Sequence, residues 1–242
     1  LMNRKGGTME LGNRLKAVAN LVPRNKRIAD IGTDHAYLPV YLAARGLITG
    51  AVASDNKEGP CQAARKTIAQ YHLEQRIEVR QGDGLLTIHP DEVEVIVMAG
   101  MGGLTMLSIL DQGMAVINSP TLTHLVLQPQ TDSDAVRKWA EEKGWEICQE
   151  DLAQEGTKLY EMFVLTPNKH YVYPGISYEV GSLLITHKHP LLKQRLEKLI
   201  KEHRAALQGM EQGARGKNHP QYALIKKKLE KVEEIYNENY RS

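Results

Sequence analysis

Cysteine is scarce in this chain of 242 residues, with only Cys61 and Cys148. Two thiols make no disulfide framework and no metal-ligand spacing, so they are expected to be reduced and packed. No metal is expected. Long apolar runs are lacking as well, and none approaches the roughly 18 residues that cross a membrane. Leu1 to Thr8 are polar and basic, unlike the apolar core of a secretion signal. The expectation is a cytoplasmic protein with no membrane partner. There is no Walker lysine, no His-x-x-x-His pair and no persuasive Ser/His/Asp order. These absences argue against a P-loop NTPase, a helical zinc site and a serine hydrolase.

A strong excess of one charge is missing too, because the net charge is only +2. Its distribution is uneven. Residues 1–27 carry seven Lys/Arg against one acid, residues 28–187 eleven against twenty-one, and residues 188–242 thirteen against seven. An acidic middle is flanked by two basic ends. Either these are solvated helix faces or they are a footprint for a polyanion. Hydrophobic content of 42% and charged content of 25% are ordinary for a globular protein large enough for one core domain and an appendage.

What is present starts with Asp30-Ile31-Gly32-Thr33-Asp34-His35-Ala36. The run follows a short strand-like segment and precedes an apolar helical one. A pyrophosphate fingerprint reads G-x-G-x-x-G, whereas this turn places Asp34 where a second glycine would admit phosphate. A carboxylate there repels a pyrophosphate and suits a cation or a hydroxyl. S-adenosylmethionine carries a sulfonium, an ammonium and a ribose, and no phosphate. The acidic turn therefore favours it over NAD. Asp55 follows the next apolar run, twenty-five residues after Asp30, where a carboxylate can accept both ribose hydroxyls.

Strands and helices alternate along the chain. Leu11, Leu15, Val18 and Val22 have helical spacing before Pro23. Strands are predicted at 27–31, 51–55, 77–81, 94–99 and 124–128, with helices at 37–45, 59–71, 104–112 and 133–143. Two more strands, 145–152 and 158–165, are joined by a loop over Gln154 to Thr157. This order predicts an α/β fold, a Rossmann-like seven-stranded methyltransferase sheet, mostly parallel with an antiparallel edge. The domain is expected over 1–166, with a connector at 167–187 rich in Pro, Tyr and Gly. Leu192, Leu196, Leu199, His203, Leu207 and Met210, then Ile225, Leu229, Val232 and Tyr236, predict a C-terminal antiparallel helical hairpin over 188–242. The hairpin is coiled-coil-like but too short for a long oligomeric coil, and a monomer is the favoured state.

Three further segments fall just after predicted strands. Gln81-Gly82-Asp83-Gly84-Leu85 places Asp83 where it can accept the amine of a cofactor adenine, with Gly84 easing the approach. Ala99-Gly100-Met101-Gly102-Gly103 has three glycines in four residues. Glycine costs roughly 0.5–1 kcal/mol relative to alanine in regular structure, so such a cluster marks ligand approach. It replaces the Asn/Asp-Pro-Pro-aromatic tetrapeptide of enzymes that methylate exocyclic amines, which favours a ring nitrogen as nucleophile. Leu127-Gln128-Pro129-Gln130 offers Gln128 either to read a base edge or as plain loop. His35 contacts substrate or holds structure, and Tyr37 stacks a base or starts its helix.

These residues together carry a resemblance. Asp30 to Pro39, Gln81 to Leu85, Ala99 to Gly103, Leu127 to Pro129 and Tyr178-Glu-Val-Gly181 resemble the bacterial TrmK family of tRNA (adenine-N1)-methyltransferases, over nearly the whole chain. The resemblance implies S-adenosyl-L-methionine as donor and tRNA as partner, with methyl transfer to N1 of the adenosine at position 22 in the D-arm. The base must be exposed or extruded to react. The expected donor-binding residues are Asp30, Gly32, Asp34, Asp55, Asn56, Asp83, Gly84, Ala99, Gly100 and Met101. The expected catalytic pair is Asp34 and His35, with Asp34 stabilising the cationic product or holding the donor's ammonium. Alternatives are a methyltransferase acting on another RNA or a small molecule, and a non-catalytic RNA-binding module.

Overall fold

The computed structural model describes residues 9–173, 178–213 and 216–241. Its contacts form two compact units, one ending at Tyr173 and the other following it. The first unit opens with α1 (Asn13–Leu21). It continues through β1 (Arg27–Ile31), α2 (Tyr37–Ala44), β2 (Gly50–Asp55), α3 (Glu58–Gln70), β3 (Ile77–Gln81) and β4 (Val95–Met101). There follow α4 (Gly103–Gln112), the short α5 (Met114–Ile117), β5 (His124–Pro129), α6 (Ser133–Lys143), β6 (Trp145–Glu155) and β7 (Lys158–Pro167).

The seven strands make one sheet in the order β3-β2-β1-β4-β5-β7-β6. β1 to β5 run parallel, while β7 is antiparallel to both β5 and β6. This is the expected Rossmann-like methyltransferase sheet. Its central strands are continuous apolar runs because both faces are covered. Val95, Ile96, Val97 and Met98 are all fully buried. Val95 and Val97 join a core with α1, α2 and α3 through Val18, Leu42 and Ala64. Ile96 and Met98 alternate to the other face, where Met106 of α4 and Val136 of α6 are buried. A cluster of charges is buried near the antiparallel edge. Arg137 of α6 is ion-paired with Glu150 at 2.8 Å and with Glu161, and it lies over the Phe163 ring.

One local expectation is corrected, and two short elements are added. The β6–β7 loop is shorter than Gln154 to Thr157, because Gln154 pairs with Leu159 and Glu155 with Lys158, leaving a turn of Gly156 and Thr157. The extended strand end has a use: Gln154 O accepts from Asn13 Nδ2, and the Glu155 carboxylate accepts from the Arg14 backbone N–H at 2.8 Å. An acid at the first turn of a helix suits its positive end, so Glu155 caps α1. A 3-10 turn over Gly84–Thr87 and the helix α5 escaped the periodicity because they are only four residues long.

The second unit contains α7 (Ser182–Thr186), α8 (Leu192–Gln212) and α9 (Tyr222–Tyr240). α8 and α9 are antiparallel, as cross-links from Glu211 to Tyr222, Arg204 to Glu233 and Glu197 to Tyr236 require. Leu192, Leu196, Leu199, Val232 and Ile235 fill the apolar seam. Glu179 ties the unit together. One carboxylate oxygen meets His203 Nε2 at 2.9 Å, the other accepts from Lys228 Nζ at 2.9 Å, and its backbone carbonyl accepts from Arg195. The segment expected as a connector therefore includes both α7 and this polar clasp.

Candidate active site at the carboxyl edge of the sheet

The strand order reverses direction between β1 and β4, and ligands of open α/β sheets bind in the crevice that forms there. A cleft of about 360 Å³ lies at that point, lined among others by Arg14, Asp30, Gly32, Thr33, Asp34, His35, Tyr37, Ala99, Gly100 and Gln130. Asp30 is near the end of β1, in register with Ala53 of β2 and Val97 of β4. The chain then turns sharply. Gly32 has φ +78°, and its N–H and that of Thr33 both donate to Ser54 O. A Cβ on Gly32 would strike the Met101 methyl at 2.6 Å, so Met101 closes against the turn. Thr33 Oγ1 accepts from the Ala36 N–H, and Ala36 takes a left-handed φ of +54° as α2 begins.

Burial pushes the Asp30 carboxyl up to about 6, partly opposed by a hydrogen bond with Thr33. Asp34 projects outward and lies 3.4 Å from His35 Nε2. The His35 and Tyr37 rings stack at 5.0 Å with 10° between their planes, and Tyr37 remains 44% exposed. These residues form a polar floor and an aromatic rim on one short loop.

The other expected donor-binding residues lie along the same edge but outside the cleft. Asp55 ends β2, and its Oδ1 accepts from the Lys57 N–H at 2.8 Å. Asn56 is exposed beside it, and the Asn56 carbonyl accepts from Gln81 Nε2. The Gly82 N–H donates to Asp55 O, which holds the β3 loop against the β2 end. Asp83 is exposed at the start of the 3-10 turn, and Gly84 has φ +50°.

The glycine cluster after β4 separates into two roles. Gly100 is the inserted residue where the β4–β5 register shifts between Ala99 and Met101, with φ +91°, and it lines the cleft beside Ala99. Gly103 serves packing instead, because a Cβ there would lie 2.6 Å from Thr131 O and 2.7 Å from Asp132 O. The left-handed φ at the bulge explains Gly100 and backbone packing explains Gly103, so the cluster does not have a single cause.

Gln128 is fully buried and reads no base. Its Oε1 accepts from Arg14 Nη1 at 2.9 Å and its Nε2 donates to Pro129 O at 2.9 Å. Gln130, two residues on, is exposed and lines the cleft. Arg14 was missed by the sequence pattern. It sits on the first turn of α1, far from every motif, and only tertiary packing brings it to the cleft. Among the described residues, no group of three His, Cys, Asp or Glu side chains is placed to hold a metal ion. No helix among them is long and apolar enough to cross a membrane.

Residues 11–163 match a family model described as Methyltransferase domain. The Bacillus subtilis tRNA (adenine(22)-N(1))-methyltransferase is 34% identical over 177 residues, which is 73% of this chain and 74% of that protein. The structure of the B. subtilis m1A22 tRNA methyltransferase TrmK superimposes with a TM-score of 0.84 at 29% identity, covering 95% of this chain and all of that one. The chain belongs to the TrmK family of methyltransferases. TrmK from M. capricolum, solved with S-adenosylhomocysteine, has a TM-score of 0.81 at 26% identity and covers 95% of this chain and 99% of its own.

Proposed function

We propose that this TrmK-family chain transfers a methyl group from S-adenosyl-L-methionine to N1 of an adenosine in tRNA, at position 22 of the D-arm. The observation that carries the reading is the acidic turn at the switch point. Asp30 is buried under it and Asp34 stands on it, so a pyrophosphate would meet negative charge from two sides. A donor with a sulfonium and an ammonium meets the opposite sign. Gly32, at φ +78°, lets the chain turn sharply enough to keep both carboxyls at the cleft, with Met101 packed where a Cβ would stand. The cleft residues therefore fit this donor. Bound there, S-adenosylmethionine would supply an electrophilic methyl carbon on a sulfonium sulfur that leaves as a neutral thioether.

The chain's own residues do the rest. Asp55 accepts from the donor's ribose, with Asn56 beside it, and Asp83 and Gly84 receive its adenine. Asp30, Gly32, Ala99, Gly100 and Met101 surround the reacting end. The stacked His35 and Tyr37 offer an aromatic rim against which an extruded adenine can rest. Gln130 is the exposed amide of the cleft and takes the base-reading role that buried Gln128 cannot. Asp34 faces the charge that appears on the adenine once N1 is methylated. Adenine N1 is already nucleophilic, so the enzyme contributes mainly alignment.

The choice of tRNA, and of adenine 22, follows the named activity of the B. subtilis relative. It agrees with the basic C-terminal residues, thirteen Lys/Arg against seven acids over 188–242. Exposed Lys201, Lys226 and Lys227 on α8 and α9 are suited to phosphate contacts. The test is incubation with bulk bacterial tRNA and labelled donor, followed by nucleoside analysis. Label in 1-methyladenosine is expected. Label in another nucleoside, or in small molecules only, would overturn the reading.

A further inference from the structure

Among the described residues that line the cleft, Arg14 is the one Lys or Arg. Three elements hold it there. Glu155 caps its backbone N–H, Gln128 Oε1 accepts from Nη1 at 2.9 Å, and the guanidinium carbon lies 5.6 Å from the centre of the Tyr160 ring. Its Nη1 would lie 3.3 Å from a Cβ on Gly100, so the charged head sits against the bulge that lines the cleft.

The anchor's chemistry is informative. A carboxylate in the place of Gln128 would orient the guanidinium and also neutralise it. A fully buried amide, whose own N–H is satisfied by Pro129 O, orients it and leaves its charge available. Among the described residues the guanidinium donates to Gln128 alone. A guanidinium has several N–H groups, so donors remain for an anion.

The strand order says which anion. Asp83 follows β3 and Asp55 ends β2, so the donor's adenine and ribose lie on the β3–β2 side. Its amino-acid end must extend past β1 toward β4, the side on which Arg14 reaches Gly100 and Gln128. That end carries an ammonium, which buried Asp30 complements, and a carboxylate, for which the cleft's acidic residues offer nothing. We infer that Arg14 binds the α-carboxylate of the donor's methionyl group, and that Gln128 is the positioning residue that presents it. This rests on the donor site proposed above. The rival is a tRNA backbone phosphate, which a guanidinium also suits.

Calorimetry on the full chain separates the two, with S-adenosylhomocysteine and 5′-methylthioadenosine as ligands. The second shares the adenosine and the thioether but lacks the amino-acid end. Arg14→Met should weaken S-adenosylhomocysteine roughly 10- to 100-fold, the size of a lost charge-assisted pair, and leave 5′-methylthioadenosine unchanged. Arg14→Lys should recover part of the loss. Gln128→Leu should weaken S-adenosylhomocysteine less than Arg14→Met and again spare 5′-methylthioadenosine. Equal loss of both ligands in Arg14→Met would mean damage to the fold of the site and would overturn the inference. So would unchanged S-adenosylhomocysteine binding, including with a raised tRNA KM, which would assign Arg14 to phosphate. A wild-type protein that binds neither ligand would overturn the donor site itself, and this inference with it.

Discussion

Asp30 and Asp34 share one short turn but not one environment: Asp30 is 7% exposed, whereas the Asp34 side chain is 79% exposed. Two carboxyls four residues apart thus differ in their access to water. Burial raises Asp30 to about 6, with only the Thr33 hydrogen bond opposing. Asp34 keeps its water and has His35 as neighbour at 3.4 Å. The division suits a site that must attract a cationic donor and also meet a base that becomes cationic.

The buried member makes a prediction about stability. An ordinary aspartate titrates near 3.8 and Asp30 near 6, so the folded chain holds this proton more tightly than the unfolded one. The cost of burying ionised Asp30 is therefore absent below pH 3.8, grows between 4 and 6, and is fully present above. Asp30→Asn should make the ligand-free protein more stable at pH 7, on the order of 2 kcal/mol, with the gain gone at pH 4. Urea unfolding at the two pH values checks this. A destabilised variant at pH 7 would contradict it. S-adenosylhomocysteine affinity of the wild type should rise through pH 6, as Asp30 ionises to meet the ammonium.

The exposed member makes a prediction about rate. Asp34→Asn keeps the shape and removes the charge. Its single-turnover constant at saturating tRNA and donor should fall roughly 10- to 100-fold, with donor affinity changed much less. If saturating donor restores the rate, Asp34 belongs to donor binding. A normal rate at all donor concentrations would remove it from the catalytic residues.

At the end of β2, Asp55→Ala should weaken S-adenosylhomocysteine by roughly 10- to 100-fold, because a ribose hydroxyl pair loses a charged acceptor. The Lys57 N–H that Asp55 now satisfies is exposed to water, so the fold should survive. Titration calorimetry beside a thermal melt tests both halves. Unchanged affinity would place the ribose elsewhere.

The hairpin should serve tRNA capture. Lys226→Glu with Lys227→Glu should raise the tRNA KM several-fold and flatten its salt dependence, while donor binding stays unchanged. Glu179→Ala should act differently, by loosening the second unit. It removes the carboxylate that His203 and Lys228 share and should cost on the order of 2 kcal/mol in urea unfolding of the full chain. Unchanged tRNA binding in the charge-reversal variant would point instead to a role between copies of the chain, which light scattering would reveal.

The sheet was legible because its strands are short apolar runs separated by helical periods, and strands 27–31 and 77–81 and the helix 133–143 match residue for residue. The acidic turn was legible because it is local: Asp30, Gly32 and Asp34 lie within five residues. Arg14 was not, since its partners Gln128 and Glu155 are more than a hundred positions away. Nor was the inward turn of Gln128. A glutamine near the end of a strand looks the same in sequence whether it faces solvent or is fully buried. Gly103 misled in the opposite sense, since a glycine demanded by the Thr131 and Asp132 carbonyls cannot be told from one that admits a ligand.

Methylation of N1 of adenosine 22 in tRNA is the activity proposed for this chain. Two transcripts of one tRNA, differing only in A or G at position 22, test it most directly. Each is incubated with the full chain and S-adenosylmethionine and then copied by reverse transcriptase, which a methyl on the Watson–Crick edge blocks. A donor-dependent stop beside position 22 in the A22 transcript, absent from the G22 transcript, is the predicted result. Equal methyl incorporation into both transcripts, or a stop at another position, would contradict the claim.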